Sequence, residues 1–135
     1  MAAQPDFAQW LAICNVKADY CRLLDTKDWE GWRNLFTPDV EIDVAEAGGD
    51  VTDERDPFVD GLRDMLADVK TAHQIHAPQI QIDGDKANVI WAMQDRLIWP
   101  DGNTMTGYGH YHEEYRNTAD GWKIARLKLT RLILE

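Results

Sequence analysis

Basic residues are scarce in this 135-residue chain: 14 lysines and arginines stand against 24 aspartates and glutamates, a formal net charge of -10. That balance leaves no basic face to neutralise phosphates, so neither nucleic acid nor an anionic membrane is expected as a partner. Cysteine is nearly absent. Cys14 and Cys21 lie two turns apart on one predicted helix, about 10 Å by helix rise, too far for a disulfide, and they read as buried thiols. No apolar run approaches the ~20 residues of a membrane span, and Met1 to Asp6 shows no basic start leading into an apolar core. A cytoplasmic protein is the expectation. Internal repeats and low-complexity stretches are missing too, and one domain over residues 1–135 is expected, because a chain of this length buries roughly two thirds of its unfolded surface in one core.

What the chain does have is periodicity. Phe7, Trp10, Leu11, Ile13, Cys14, Val16, Tyr20, Cys21, Leu23 and Leu24 recur at helical spacing after a Pro5-Asp6 opening, which predicts a long helix from about Asp6 to Asp25. Thr26-Lys27-Asp28 breaks it. Trp29, Trp32, Leu35 and Phe36 predict a short second helix ended by Thr37-Pro38, since the residue before proline is driven out of the helical region. Val40, Ile42 and Val44 alternate as a strand, Ala45 to Asp56 reads as a mobile loop, and Pro57 to Val69 reads as a third helix with Pro57 at its first position. Four long strands follow, His73 to Asp83, Lys86 to Trp99, Met105 to Asn117 and Trp122 to Leu134, separated by Gly- and Asp-rich turns. Strands of that length must twist and curl. The order predicts an α+β fold, a cone-shaped half-barrel in which a strongly curved, mostly antiparallel sheet is closed by three N-terminal helices around a pocket.

Tyr20, Asp25 and His73 form a candidate acid/base site on the first helix and the strand that packs across it. A carboxylate that sets an imidazole's tautomer, beside a phenol that donates a hydrogen bond, moves protons without a cofactor, as elimination and isomerisation require. Each residue also has a plainer role: Asp25 as a helix end, Tyr20 as core with a wet hydroxyl, His73 as a satisfied strand histidine. The conjunction favours the site.

The run Tyr20-Cys21-Arg22-Leu23-Leu24-Asp25, then Trp29 to Asp39, then His73 eleven positions before Gly84 of Ile82-Asp83-Gly84-Asp85-Lys86-Ala87, and finally Gly109-His110-Tyr111 with Asp120-Gly121-Trp122-Lys123-Ile124, occur in a telling order. Together they resemble the SnoaL-like branch of the nuclear-transport-factor-two-like superfamily, the cone shared with scytalone dehydratase and ketosteroid isomerase. Tyr20, Asp25 and His73 stand at the separations of the corresponding types in bile acid 7-alpha-dehydratase; the similar hexachlorocyclohexane dehydrochlorinase has lysine where Tyr20 stands. The resemblance implies a cofactor-independent lyase acting on a hydrophobic, cyclic or steroid-like hydroxy-carbonyl compound. Its alternatives are a ketosteroid-type isomerase in the same pocket, or a non-catalytic binding or assembly module such as a small dioxygenase subunit. It also implies a homodimer or homotrimer.

The aromatic content suits a mostly apolar pocket, and Trp29, Trp91, Met93 and Tyr108 are candidate substrate-binding residues, with Met65 and Trp99 able to line or plug the cone; Trp32 and Trp122 read as core. His110 is a further candidate, as a pocket-wall donor, by resemblance to scytalone dehydratase. No metal is expected. His110 and His112 share a strand face, but Arg116 and Asn117 stand where a carboxylate ligand would be needed, and His73 and His76 face opposite ways. Of the last-strand cations Arg126, Lys128 and Arg131, alternation lets only some face inward. The acidic stretch Asp50 to Asp56 reads as a solvated loop or a lid.

Overall fold

Asp6 opens the fold by capping the first helix, its carboxylate accepting the free N–H groups of Ala8 and Gln9. The computed structural model describes residues 6–135, so Pro5 lies outside the described residues. Helix α1 is Phe7–Asp25 and α2 is Trp29–Arg33. Between them Lys27 adopts a left-handed backbone, φ 64°, which turns the chain sharply, and Asp28 caps α2 through the Gly31 N–H.

The second helix is shorter than its apolar spacing predicts. Phe36 already belongs to strand β1, Phe36–Asp43, which runs through Pro38. Its ladder with the last strand is interrupted between Phe36 and Glu41, so the proline's missing N–H removes no pairing bond. The segment read as an irregular loop contains a 3₁₀ turn, Ala45–Ala47, and the two-residue strand β2, Val51–Thr52, paired with β1. Helix α3, Arg55–Leu66, starts two residues ahead of Pro57 and stops short of Val69. Proline remains tolerable there, because first-turn N–H groups have no intrahelical acceptor.

Strands β3 (Lys70–Asp83), β4 (Lys86–Ile98), β5 (Thr104–Thr118) and β6 (Gly121–Leu134) complete a six-stranded sheet of order β2-β1-β6-β5-β4-β3. β1 pairs parallel with β6, and every other neighbouring pair is antiparallel. The architecture is α+β: a curved, unclosed mixed sheet with helices over its concave side. Bulges bend it. One between His76 and Gln79 reverses the parity of β3, so that His73 and Ile75 before it and Ile80 and Ile82 after it all turn their side chains inward. Two register shifts in β6 do the same around Ala125 and Leu132.

The inward row of β4 is Ala87, Val89, Trp91, Met93, Asp95 and Leu97; that of β5 runs through Gly107, Gly109, Tyr111, Glu113 and Tyr115. Trp32 is fully buried and packs against Phe36, Tyr20 and Phe58 at ring-centroid distances of 4.8, 5.4 and 5.7 Å, edge to face with Phe36 and tilted to the other two. Aromatic pairs of this kind contribute about 0.5–1.5 kcal/mol each beyond burial and lock α1, α2, α3 and β1 together. Among the described residues no helix is long and apolar enough to cross a membrane.

Candidate active site

Asp25 is the last residue of α1, and its side chain meets edge strand β3 at Thr71 and His73. Its carboxylate is held from three directions. Oδ1 lies 2.7 Å from His73 Nδ1 and accepts from the Thr71 hydroxyl at 2.9 Å, while Oδ2 accepts the His73 backbone N–H at 2.8 Å. Lys27 donates in turn to the Thr71 hydroxyl at 3.1 Å, which leaves that hydroxyl's proton directed at Asp25. The carboxylate therefore fixes the proton on Nδ1 and leaves Nε2 as a free lone pair.

His73 borders a cavity of about 720 Å³ between the concave sheet and the helices. Tyr20, Tyr111, Asp95 and Arg131 supply its polar side; Leu24, Phe58, Leu62, Leu66, Leu97, Trp99, Met105 and Leu129 supply apolar wall. The volume lies within the range of small-molecule sites. The 3₁₀ turn, β2 and the start of α3 also border the cavity, and Glu46 ties that turn to β6 by accepting the Arg131 backbone N–H. Tyr20 and Tyr111 meet edge to face at 5.7 Å. Burial, and then the Glu113 carboxylate, push the Tyr20 phenol well above its ordinary value, against a hydrogen bond from Tyr111 that pulls it partly back. Tyr20 is thus a neutral O–H donor at neutral pH.

The sequence reading did not single out Asp95. It forms a buried bidentate pair with Arg131, Nη1 to Oδ1 at 2.7 Å and Nη2 to Oδ2 at 3.0 Å, and the pair lies against the space a side chain at Gly107 would take. Arg131 Nε is buried with no hydrogen-bond partner among the described residues. The signal was present: Asp95 has the parity of Trp91, Met93 and Leu97, and Arg131 that of Leu127 and Leu129. The same pair settles which last-strand cation turns inward.

Several candidate contacts need correction. Tyr108 and His110 lie on the convex face with His112, opposite Tyr111, so neither borders the cavity. Parity without an anchor does not tell the two faces apart, and Tyr111, Glu113 and Tyr115 take the inward one. Trp91 is inward but fully buried, donating to Glu113 at 2.7 Å, and Met93 lies against Arg131; neither lines the cavity. Trp29 packs edge-on against Trp32 outside it. Trp99 and Met65 do border it. Among the described residues no three histidine, cysteine, aspartate or glutamate side chains converge.

A model of the SnoaL-like domain matches residues 7–128. Scytalone dehydratase arp1 of Aspergillus fumigatus is 30% identical, over 93% of this chain and 83% of that protein. The protein named probable cyclase FGR4 of Gibberella zeae is 29% identical, over 98% of this chain and 95% of its own length. A crystal structure from Novosphingobium aromaticivorans, provisionally assigned as an aromatic ring hydroxylase, superposes with a TM-score of 0.91 at 24% identity, covering 98% of this chain and 95% of that one, a likeness of fold.

Proposed function

The chain belongs to the SnoaL-like domain family, and from that premise we propose that it is a cofactor-independent lyase that removes water by β-elimination from a hydrophobic, cyclic hydroxy-carbonyl compound. Membership of this family, with relatives named scytalone dehydratase and cyclase, supports lyase or isomerase chemistry in general. The observation that carries the finer reading is the thrice-bonded Asp25 carboxylate on His73 at the edge of a largely apolar cavity.

His73 Nε2 takes the proton from the carbon next to the substrate carbonyl. The electron pair flows towards the carbonyl oxygen, where the Tyr20 hydroxyl donates a hydrogen bond. Collapse of the resulting enolate forms the carbon–carbon double bond and expels the β-hydroxyl, which receives the proton held by His73 and leaves as water. A positioned base contributes roughly 10²- to 10⁴-fold, and one oxyanion donor about 2.7–4 kcal/mol, so useful turnover needs both. Returning the proton to a different carbon instead makes the same site an isomerase.

The test is a mass-resolved screen of cyclic hydroxy-ketones for loss of water. On the compound found, His73→Ala should lower turnover at least ~100-fold, and Tyr20→Phe roughly 10- to 1000-fold with most of the loss in kcat. Both variants should melt near the native temperature. A product of unchanged mass assigns the isomerase instead. Full activity of both variants rules these roles out and assigns the chemistry to other residues, whereas a screen in which no compound turns over favours a non-catalytic binding module.

A further inference from the structure

Behind Tyr20 stands a buried charge. Lys17, one turn earlier on α1, and Glu113 on β5 form an ion pair at 2.6 Å with both side chains 0% exposed. Glu113 Oε1 accepts from the Trp91 indole and the Tyr115 hydroxyl, each at 2.7 Å, so its lone pairs are committed. Lys17 is served less fully: three N–H groups meet one oxygen partner among the described residues. What else the ammonium faces is aromatic. It lies 3.5 Å from the centre of the Tyr20 ring and 3.7 Å from that of Tyr111.

Stability alone does not account for this arrangement, because a buried ion pair is commonly replaceable by apolar residues of similar volume without loss. A cation on a ring face does something an apolar residue cannot. It stabilises the extra electron density that a phenol gains as its proton shifts towards an acceptor, and so makes the hydroxyl a stronger donor.

We propose that Lys17 is a positioning residue of the site: anchored by Glu113, it polarises the Tyr20 phenol through its ring face towards an oxyanion formed in the cavity. The inference rests on Tyr20 acting as the donor described above. Around the two phenols, Cys21 of α1 and Asp95 of β4 disfavour the phenolate of each, Glu113 disfavours that of Tyr20, and Tyr115 of β5 faces Tyr20; Lys17 is the cation set on both ring faces. Burial lowers the Lys17 ammonium's own pKa and Glu113 holds it up.

The experiment compares binding of para-nitrophenolate with that of nitrobenzene, its neutral counterpart, in the native protein and in Lys17→Met/Glu113→Gln, which removes both charges at similar volume. Nitrophenolate affinity should fall about tenfold while nitrobenzene affinity holds. In a Tyr20→Phe background the same double substitution should cost nitrophenolate less than about twofold, the mark of action through Tyr20. Equal losses for both probes, or an undiminished loss in the Tyr20→Phe background, overturn the proposal. Lys17→Gln/Glu113→Gln, which replaces the ion pair by a neutral hydrogen-bonding pair, serves with the same expected fall if the first double variant fails to fold. Without any ligand, the phenol-carbon resonance of Tyr20 in carbon-13-tyrosine protein should move in these variants but not in Lys123→Met; an unmoved resonance also overturns it. Native protein that binds nitrobenzene but not nitrophenolate refutes Tyr20 as an oxyanion donor, whereas normal nitrophenolate binding with an unmoved Tyr20 resonance refutes only the role of Lys17.

Discussion

Asp25→Asn should reverse the hydrogen bond that sets His73. Three donors now converge on two carboxylate oxygens: the His73 backbone N–H on Oδ2, and the Thr71 hydroxyl and imidazole Nδ1–H on Oδ1. A carboxamide keeps one accepting atom. Placing its nitrogen towards the His73 backbone would set donor against donor at 2.8 Å, so the oxygen stays there and the amide nitrogen faces Nδ1. The amide then donates to Nδ1, the ring proton moves to Nε2, and the cavity meets an N–H where it had a lone pair. Hydrogen bonds to a charged group contribute about 1.5–3 kcal/mol and neutral ones about 0.5–1.5, so the variant should lose about 1–3 kcal/mol of stability and remain folded. The melting temperature should drop by several degrees, within about 2–8 °C per kcal/mol. Turnover should fall much further, towards the ~10⁴-fold that tautomer loss causes in a well-studied triad, with KM little changed. Nitrogen-15 NMR of the imidazole reads the tautomer directly. A native protein already protonated at Nε2, or an Asp25→Asn variant at full speed, refutes the reasoning.

Gly107→Ala should drive a methyl group into the Asp95–Arg131 pair, costing about 1–3 kcal/mol of stability by overpacking and displacing the cavity's guanidinium; an unchanged melting temperature with unchanged ligand affinity would show that the pair yields freely. Stability should also fall in alkali. Burial, chiefly, raises the Cys21 thiol from 9.0 to about 11 and pushes Tyr20, Tyr111 and Tyr115 well up, so their contribution is whole below the unfolded values of about 8.5 for cysteine and 10 for tyrosine and is lost as pH rises towards the folded ones. Cys21 alone accounts for about 3 kcal/mol, and Lys17, whose folded value is lowered, acts with the opposite sign and recovers part of it. Urea midpoints measured from neutrality into alkali should decline above roughly pH 9; a flat profile refutes the burial of these groups.

Much of the architecture was legible in the chain. Helical spacing from Phe7 to Leu24 and long alternating runs after Lys70 determine α1 and β3 to β6, because period alone decides which side of an element is apolar. Residue type likewise marked Tyr20, Asp25 and His73 as chemically apt. What period cannot express is distance and handedness of face. The parallel pairing of β1 with β6 joins segments about 90 residues apart, and no local signal carries it. Asp25 reaches His73 across 48 positions only because the tertiary fold packs the end of α1 against β3. Tyr108 and His110 could be placed on either face until the inward packing of Tyr111 and Tyr115 decided it. The buried pairs Lys17–Glu113 and Asp95–Arg131 were hidden for a related reason: a charge in an apolar row reads as an interruption, and only the tertiary structure, by bringing its counter-charge within 3 Å away from water, makes it part of the interior.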